Sequence, residues 1–217
     1  MLSYDGMISL PTHVQTVISV CTKNGYECYA VGGAVRDLLM GKTAGDWDFT
    51  TNAPPETILS LFPDSFYDNQ FGTVGIKVYD ETRDPLHKEK PLEIFEITTY
   101  RSEQGYSDRR HPDSITWGTT LQADLSRRDF TVNAIATDGK TIIDPFDGQS
   151  DIDKKILRTV GDPKERLSED ALRMMRAIRI ACQLGFTIEE QTLGAIQALA
   201  KTLSHVSNER IRDELMK

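Results

Sequence analysis

Long apolar runs are missing from this 217-residue sequence. No stretch of about 18 consecutive apolar residues occurs, so no segment is predicted to span a membrane and no membrane partner is expected. The N-terminus carries Asp5 and no basic residue ahead of an apolar run, which argues against a secretory signal.

Cysteine is also scarce. Cys21, Cys28 and Cys182 are odd in number and lack C-x-x-C spacing, and the four histidines show no ligand spacing. A disulfide framework and a zinc site are therefore both disfavoured. This cysteine usage fits a reducing compartment, so a cytoplasmic location is expected.

Basic residues are fewer than acidic residues. Lys and Arg number 25 against 33 Asp and Glu, which gives a net charge of −8. A protein this acidic is not a general binder of polyanions, so any nucleic acid must be bound by a local basic surface. Hydrophobic residues make up 39% of the chain, which is enough for a folded core and argues against wholesale disorder.

Strand-like patterns dominate the first part of the sequence, and helical patterns dominate the last. The first part predicts a helix over 12–24, a strand over 27–31, a helix over 34–40 and a strand over 46–51. After Leu157 the pattern is helical almost throughout, with helices predicted over 168–184, 189–203 and 208–217. This order favours an α+β domain followed by a helical segment.

Two polar segments interrupt the later strands. Residues 81–90 are charged and contain a proline, which predicts a hairpin loop between strands over 71–80 and 91–101. Residues 102–114 show no regular period and are long enough to form a mobile or a functional loop.

Gly32 and Gly33 follow a predicted strand and open a predicted helix. Two glycines allow close approach of a ligand to the backbone, and the first helical turn offers N–H groups to a phosphate. Arg36 would add a charge-assisted donor. An ordinary strand-to-helix turn with a surface arginine explains the same residues, and neither G-x-G-x-x-G nor G-x-x-x-x-G-K-[ST] spacing is present.

Asp46 and Asp48 lie two residues apart in a predicted strand, where alternate side chains point to the same face. Two neighbouring carboxylates repel each other unless a cation lies between them, and Mg²⁺ takes oxygen ligands that it often shares with a triphosphate. A solvated loop is the alternative, with Asp46 as a cap and Asp48 exposed. An EF-hand is disfavoured because Thr51 and Thr57 occupy the positions that require glycine and glutamate.

Arginine is concentrated in two later stretches. Arg127 and Arg128 precede an aspartate that could cap a helix, which suits either a phosphate or sugar contact or a surface charge pair. In the predicted helix, a rotation of about 100° per residue puts Arg173, Arg176 and Arg179 on one half.

Asp170 and Arg173 are spaced i, i+3 and admit two interpretations. One is an intrahelical ion pair on an amphipathic helix. The other is a reader of nucleobases, in which the carboxylate accepts from an exocyclic amine and the guanidinium donates to ring acceptors. Such a pair would admit cytosine and adenine and reject uracil and guanine.

Together and in this order, these motifs resemble the class II tRNA nucleotidyltransferases, the family of CCA-adding enzymes and their poly(A) polymerase relatives. The resemblance covers nearly the whole chain from residue 29. The matching stretches are YAVGGAVRDLLMG (29–41), DWDFTTNAPPE (46–56), FGTVGIKV (71–78), EITTYR (96–101), YSDRRHPD (106–113), DLSRRDFTVNAIA (124–136), DPFDG (144–148), EDALRMMRAIR (169–179) and NERIRDELMK (208–217).

The resemblance implies an α+β fold, with a nucleotidyltransferase head over 1–154 that contains a small mixed β-sheet with helices. An all-helical neck over 155–217 would follow and would select the nucleotide. The resemblance also implies that helical body and tail regions would follow in a complete family member, so the sequence is expected to be a form truncated after the neck. The charged 81–90 insert is longer than the family pattern.

The resemblance also implies roles for particular residues. Asp46 and Asp48 would be catalytic and would hold Mg²⁺, with Glu96 as a candidate extra carboxylate. Gly33 and Arg36 would hold the triphosphate. The residues that would contact or select the nucleotide are Arg127, Asp170, Arg173, Arg176 and Arg179.

The implied function is Mg²⁺-dependent, template-independent addition of C and A, from CTP and ATP, to tRNA 3′ ends. The 102–114 segment resembles the family's flexible loop, which favours CCA or A-only addition over CC-only addition. The alternatives are an A-adding enzyme or poly(A) polymerase of the same family, a non-catalytic nucleotide- or RNA-binding module, and an acidic structural domain. No oligomeric state is predicted.

Overall fold

A computed structural model of the chain describes residues 8–69, 72–79, 93–104, 114–117 and 120–217. The loop predicted over 81–90 lies outside these residues, and so does 105–113 of the loop predicted over 102–114. The two described ends of that second segment belong to strands rather than to a loop.

The helices and strands are numbered in chain order. The helices are α1 (Thr12–Lys23), α2 (Gly33–Leu39), α3 (Pro55–Leu61), α4 (Leu121–Ser126), α5 (Gly148–Lys154), α6 (Pro163–Glu169), α7 (Leu172–Leu184), α8 (Glu190–Leu199) and α9 (Asn208–Leu215). The strands are β1 (Cys28–Val31), β2 (Asp48–Thr51), β3 (Ser65–Asn69), β4 (Thr73–Val78), β5 (Glu93–Thr99), β6 (Arg101–Gln104), β7 (Ser114–Trp117), β8 (Ala136–Thr137), β9 (Ile142–Ile143), β10 (Ile156–Leu157) and β11 (Thr187–Ile188). Short 3-10 helices cover Thr131–Asn133 and Ala200–His205.

The described residues form two compact units that alternate along the chain. The first unit takes its residues from Met1–Ser102, Thr116–Asp124 and Ile135–Ile143. The second takes them from Glu103–Ile115, Leu125–Ala134 and Asp144–Lys217. Because the units do not divide at a single position, the head–neck boundary after residue 154 stays a prediction.

The first unit is built on a seven-stranded sheet in the order β3-β4-β5-β2-β1-β8-β9. The β2–β5 pair is parallel, and the other neighbours are antiparallel. Strands β6 and β7 form a separate two-stranded sheet. The predicted fold class, a mixed sheet with helices followed by a helical segment, is confirmed.

Strand alternation gives the central sheet an apolar face and a polar face. Phe49 on β2 and Phe95 on β5 are buried on the apolar face, with their ring centroids 5.4 Å apart. Each of these residues is preceded on its strand by a more accessible one: Asp48 is half-buried and Ile94 is exposed. The polar face of β2 therefore begins with Asp48, and the same face of β5 carries Glu96.

The second unit is mainly helical. Its long helix α7 buries an apolar stripe of Leu172, Met174, Ala177, Ile180 and Ala181. The two-residue strands β10 and β11 pair in parallel, a feature that the helical pattern does not predict. Within the described ranges, no helix combines the length and the apolar character needed to cross a membrane.

The helix predicted over 168–184 is interrupted, which corrects the sequence interpretation. Helix α6 ends at Glu169 and α7 begins at Leu172, because Asp170 has an extended backbone with φ −143° and ψ 108°. The Asp170 carboxylate accepts a hydrogen bond from the Leu172 N–H at 3.0 Å. The short acidic side chain thus binds the first N–H of the next helix, while its extended backbone ends the previous one.

Glycine at position 72 is required for two independent reasons, which makes it a test of the fold. Its φ of +81° lies in the left-handed region, and a Cβ there would collide with the Trp117 ring. We expect Gly72→Ala to lower the free energy of unfolding by about 2 kcal/mol in urea denaturation.

The control for this prediction is Gly194→Ala. Gly194 lies inside α8 with open space around it, so alanine should raise the free energy of unfolding by about 0.5 to 1 kcal/mol. Equal effects of the two substitutions would contradict the described backbone.

Candidate functional site

The turn between β1 and α2 depends on Gly32 and Gly33 in different ways. Gly32 has φ 82° and ψ −146°, a conformation that is readily accessible only to glycine. Gly33 begins the helix, and a Cβ built on it would lie 3.4 Å from the Arg36 Nη2. The backbone at Gly33 and the Arg36 guanidinium are therefore adjacent, as the predicted phosphate contact requires.

Arg36 also pairs within its own helix. Its Nε donates to the Asp37 Oδ1 at 2.9 Å, and its side chain is only 13% exposed. This ion pair holds the guanidinium close to the Gly33 backbone. The triphosphate role of Gly33 and Arg36 stays a prediction.

Asp46 lies outside the strand that the sequence predicts over 46–51. Strand β2 begins at Asp48, and Asp46 is exposed with a left-handed φ of 49°. A left-handed residue cannot continue a strand, so the argument that strand alternation aligns Asp46 with Asp48 is wrong. Trp47 between them is buried, at 1% exposure, and anchors the start of the strand.

The register of the β2–β5 pair makes Glu96, rather than Asp46, the carboxylate neighbour of Asp48 in the sheet. Asp48 and Glu96 are direct partners in the parallel β2–β5 pair, so both side chains leave the same face of the sheet. Asp48 is half-buried and Glu96 is exposed. Two carboxylates that are 48 positions apart in sequence thus become neighbours through strand pairing.

This pair of carboxylates suits one kind of metal ion. Within the described ranges, no group of three or more His, Cys, Asp or Glu side chains could enclose a metal ion. Mg²⁺ does not need such a cage, because it binds through one or two carboxylates together with waters and substrate phosphates. Asp48 and Glu96, with Asp46 just before the strand, therefore fit Mg²⁺ shared with a phosphate ligand.

Asp170 pairs with an arginine that the sequence analysis does not single out. Arg210 on α9 donates from Nη2 to the Asp170 Oδ2 at 2.8 Å and from Nη1 to Oδ1 at 3.3 Å. The i, i+3 ion pair between Asp170 and Arg173, one of the two interpretations of their spacing, is not formed, because Asp170 precedes α7 and its carboxylate is bound to Arg210.

Arg173 instead pairs with Glu169 at i, i+4. The same Glu169 oxygen accepts from the Arg166 Nη1 at 2.8 Å, so one carboxylate holds two arginines. Arg173 also donates to the Arg166 carbonyl at 2.9 Å, which fixes its guanidinium at the junction of α6 and α7.

The main chain at Arg127 is held by the same arginines. Its carbonyl oxygen accepts from the Arg166 Nη1 at 3.1 Å and from the Arg173 Nη2 at 3.4 Å. The chain segment that carries Arg127 is thereby joined to the α6–α7 junction. A nucleotide contact by the Arg127 side chain stays a prediction.

Arg176 and Arg179 each form an ion pair with a buried carboxylate. Arg176 donates from Nε and Nη2 to the Asp129 Oδ2 at 2.9 and 2.8 Å. Arg179 donates from Nε to the Glu214 Oε1 at 2.6 Å, and Glu214 is 3% exposed. The structure therefore gives both arginines carboxylate partners, and the nucleotide contact of Arg176 and Arg179 stays a prediction.

The Asp129–Arg176 pair changes the acidity of the carboxyl group. Burial alone would raise the pKa of Asp129, but Arg176, Arg173 and an Asn133 hydrogen bond lower that pKa to about 2. Asp129 therefore stays ionised at all physiological pH values and forms a permanent charge pair with Arg176.

Three residues of this second-unit network were missed by the sequence analysis: Glu169, Arg210 and Glu214. Asp129 was considered there only as a helix cap, whereas its carboxylate pairs with Arg176. The Glu169–Arg173 spacing of i, i+4 was available as a signal. The other pairs join residues 35 to 47 positions apart, and no local pattern reveals such contacts.

Comparison with known proteins decides the family. The family model described as "Poly A polymerase head domain" matches residues 28–158. The chain belongs to this poly(A) polymerase head family. A second model, described as "Probable RNA and SrmB- binding site of polymerase A", matches residues 185–217. Nucleotidyltransferases of the family generally use a divalent metal ion.

Relatives within the family include CCA-adding enzymes of two bacteria. That of Geobacillus thermodenitrificans (strain NG80-2) is 45% identical over 203 residues, which are 93% of this chain and 47% of the relative. That of Lactobacillus helveticus (strain DPC 4571) is 42% identical over 219 residues, which are 100% of this chain and 52% of the relative. The chain thus spans about half the length of these curated relatives.

A solved structure shows the same fold. The crystal structure of the Bacillus stearothermophilus CCA-adding enzyme in complex with CTP matches with a TM-score of 0.80 and 38% identity, over 95% of this chain and 48% of that one. The family resemblance predicted from the sequence motifs is confirmed.

The low pKa of Asp129 predicts a pH-dependent contribution to stability. Because the folded-state value of about 2 lies below the ordinary 3.8, the contribution is present above about pH 4 and is lost as pH falls towards 2. We expect Asp129→Asn to lower the free energy of unfolding by about 2 kcal/mol at pH 7, with a gap to wild type that narrows below pH 4.

Urea denaturation at several pH values measures this gap. The control is Asp153→Asn, which changes an exposed carboxylate in the same unit and should leave the free energy of unfolding unchanged within about 0.5 kcal/mol. A gap for Asp129→Asn that is independent of pH would contradict the assigned charge pair.

Proposed function

We propose that the chain is the nucleotide-transferring part of a CCA-adding enzyme. It would add C and A from CTP and ATP to tRNA 3′ ends without a nucleic-acid template and with Mg²⁺ as cofactor. The observation that carries the proposal is the Asp48–Glu96 pair on the polar face of the sheet. The choice of substrates is supported by the names of relatives that are 42 to 46% identical.

The carboxylates would act through the metal ion. Asp46 and Asp48, with Glu96 beside Asp48, would hold Mg²⁺, which supplies activation of the terminal tRNA hydroxyl and stabilisation of charge at the α-phosphate. Asp48 is suited to this role because its strand is fixed by pairing on both sides. Asp46 would add its carboxylate from the exposed residue before the strand.

The triphosphate would be held by Gly33 and Arg36. The Gly33 backbone offers an N–H at the start of α2, and the adjacent Arg36 guanidinium offers charge-assisted donors to phosphate oxygens. The ion pair with Asp37 limits the positions that the Arg36 side chain adopts. These contacts would orient the α-phosphate for attack.

Base selection would rest on Asp170 and Arg173. Cytosine and adenine present an exocyclic amine that a carboxylate can accept from, whereas uracil and guanine present a carbonyl that it repels. Arg173 would donate to the ring acceptor beside that amine. Arg127 would contribute a further nucleotide contact, while Arg176 and Arg179 would support the reading residues through Asp129 and Glu214.

A cytoplasmic location accompanies this proposal. Cys21 and Cys28 are free and buried, and Cys182 is free and exposed. Unpaired thiols of this kind fit a reducing compartment.

A second candidate function is poly(A) polymerase activity, which the description of the matching head-domain family favours. The two candidates differ in their use of CTP. A CCA-adding enzyme extends tRNA with CTP before ATP, whereas a poly(A) polymerase extends RNA with ATP alone.

The direct test mixes the chain and Mg²⁺ with tRNA that lacks its 3′ end and supplies each NTP separately. We expect incorporation from CTP, and from ATP once the two C residues are present, because Asp170 would accept from the amine that cytosine and adenine present where uracil and guanine present a carbonyl. Incorporation from ATP alone would favour the second candidate. Binding of NTP without incorporation would contradict both enzymatic functions.

Asp48→Asn tests the metal role in the same assay. The substitution keeps the shape of the side chain but removes its charge, so incorporation should fall by at least about 10³-fold. Asp64→Asn, an exposed carboxylate elsewhere in the first unit, should keep wild-type activity. Retained activity in Asp48→Asn would rule out the proposed metal ligand.

A further inference from the structure

Arg210 on α9 contacts both oxygens of the Asp170 carboxylate. Its two terminal nitrogens contact the two Asp170 oxygens, at 2.8 Å to Oδ2 and 3.3 Å to Oδ1. The pair is largely shielded from solvent, with side-chain exposures of 23% for Arg210 and 17% for Asp170. Such fork-like pairing fixes the plane of a carboxylate as well as its charge.

The arrangement leaves one acceptor position on Asp170. A carboxylate oxygen carries two lone pairs, and Oδ1 already accepts from Arg210 and from the Leu172 N–H. Among the described residues, Oδ2 accepts from Arg210 alone. The remaining lone pair of Oδ2 can therefore accept one N–H, which is what an exocyclic amine offers.

The local Leu172 N–H holds only Oδ1, so among the described residues Arg210 is the partner that contacts both oxygens of the carboxylate. Asp170 lies between two helices in extended backbone, so no helical turn restrains its side chain. Arg173, the nearest candidate in sequence, is bound to Glu169 and to the Arg166 carbonyl. The orientation of Asp170 thus depends on a residue 40 positions further along the chain.

Helix α9 is itself anchored one turn after Arg210. Glu214, at i+4, is 3% exposed and accepts from the Arg179 Nε at 2.6 Å. Residues four apart share one face of a helix, so α9 presents a positive and then a negative charge to the groups it faces. The two pairs together keep Arg210 opposite Asp170.

We propose that Arg210 is a positioning residue that presents Asp170 Oδ2 to the amine of an incoming cytosine or adenine and thereby sets base selectivity. This inference rests on the proposed function, since it deepens the role of Asp170 in base reading. Arg210 acts through Asp170 and is not assigned a contact with the nucleotide.

The test compares Arg210→Gln, Arg210→Lys and the control Arg212→Gln in the full chain. Arg212 lies on the same helix and is 66% exposed, and its ion-pair partner among the described residues is the exposed Asp213, so its replacement should leave the CTP preference unchanged. For each variant, kcat and KM are measured with CTP and with UTP on tRNA lacking its 3′ end. Calorimetry measures the binding of CTP and UTP separately.

We expect Arg210→Gln to reduce the preference for CTP over UTP by about tenfold, the loss that accompanies removal of one charge-assisted hydrogen bond. The change should appear mainly in the KM for CTP, and Arg210→Lys should restore part of the preference. An unchanged preference, with kcat falling equally for both nucleotides, would show a merely structural role and overturn the inference.

Binding separates this inference from the proposed function. If the wild-type chain binds CTP preferentially but transfers nothing, the proposed function fails, and a lower binding preference in Arg210→Gln still supports the inference. If the wild-type chain transfers CTP and Arg210→Gln keeps the full preference, only the inference fails. Absence of any preference for CTP in wild type contradicts both.

Discussion

Arginine compensates the buried negative charge of the second unit. Asp129, Asp151 and Glu214 are each nearly inaccessible to solvent, and each is paired with an arginine. A buried carboxylate without a partner would be strongly destabilising, so these pairs constrain which segments can pack together. Through these pairs α7 is joined to α9 and to the turn before Thr131–Asn133, and α5 is joined to the residue that follows β10.

This constraint divides the arginines of α7 by role. Arg176 and Arg179 satisfy buried carboxylates, while Arg173 lies at the α6–α7 junction with Glu169 and the Arg127 carbonyl. The Asp170 carboxylate is paired with Arg210, an arginine of the last helix, and with none of the α7 arginines. A helix face that looks like a single basic surface in sequence is therefore mostly a set of internal pairs, which is consistent with a net-acidic protein.

Elements with a strong local pattern could be predicted from the sequence. The predicted ends of α1, β1 and α2 lie within one or two residues of the observed ends. Local pattern was insufficient at Asp46, because aspartate tolerates the left-handed backbone that delays the strand. It was insufficient again at Asp170, where an extended backbone divides one predicted helix into two. The pairs Asp48–Glu96 and Asp170–Arg210 depend on strand register and tertiary packing, which residue spacing does not encode.

The proposed base selection depends on a carboxylate, fixed by Arg210, that reads the base of the incoming nucleotide. A crystal structure of the chain with CTP tests it most directly. We expect the cytosine amine within about 3 Å of the Asp170 Oδ2, with both contacts from Arg210 retained. A cytosine bound away from Asp170, or an Asp170 released from Arg210 on binding, would contradict it.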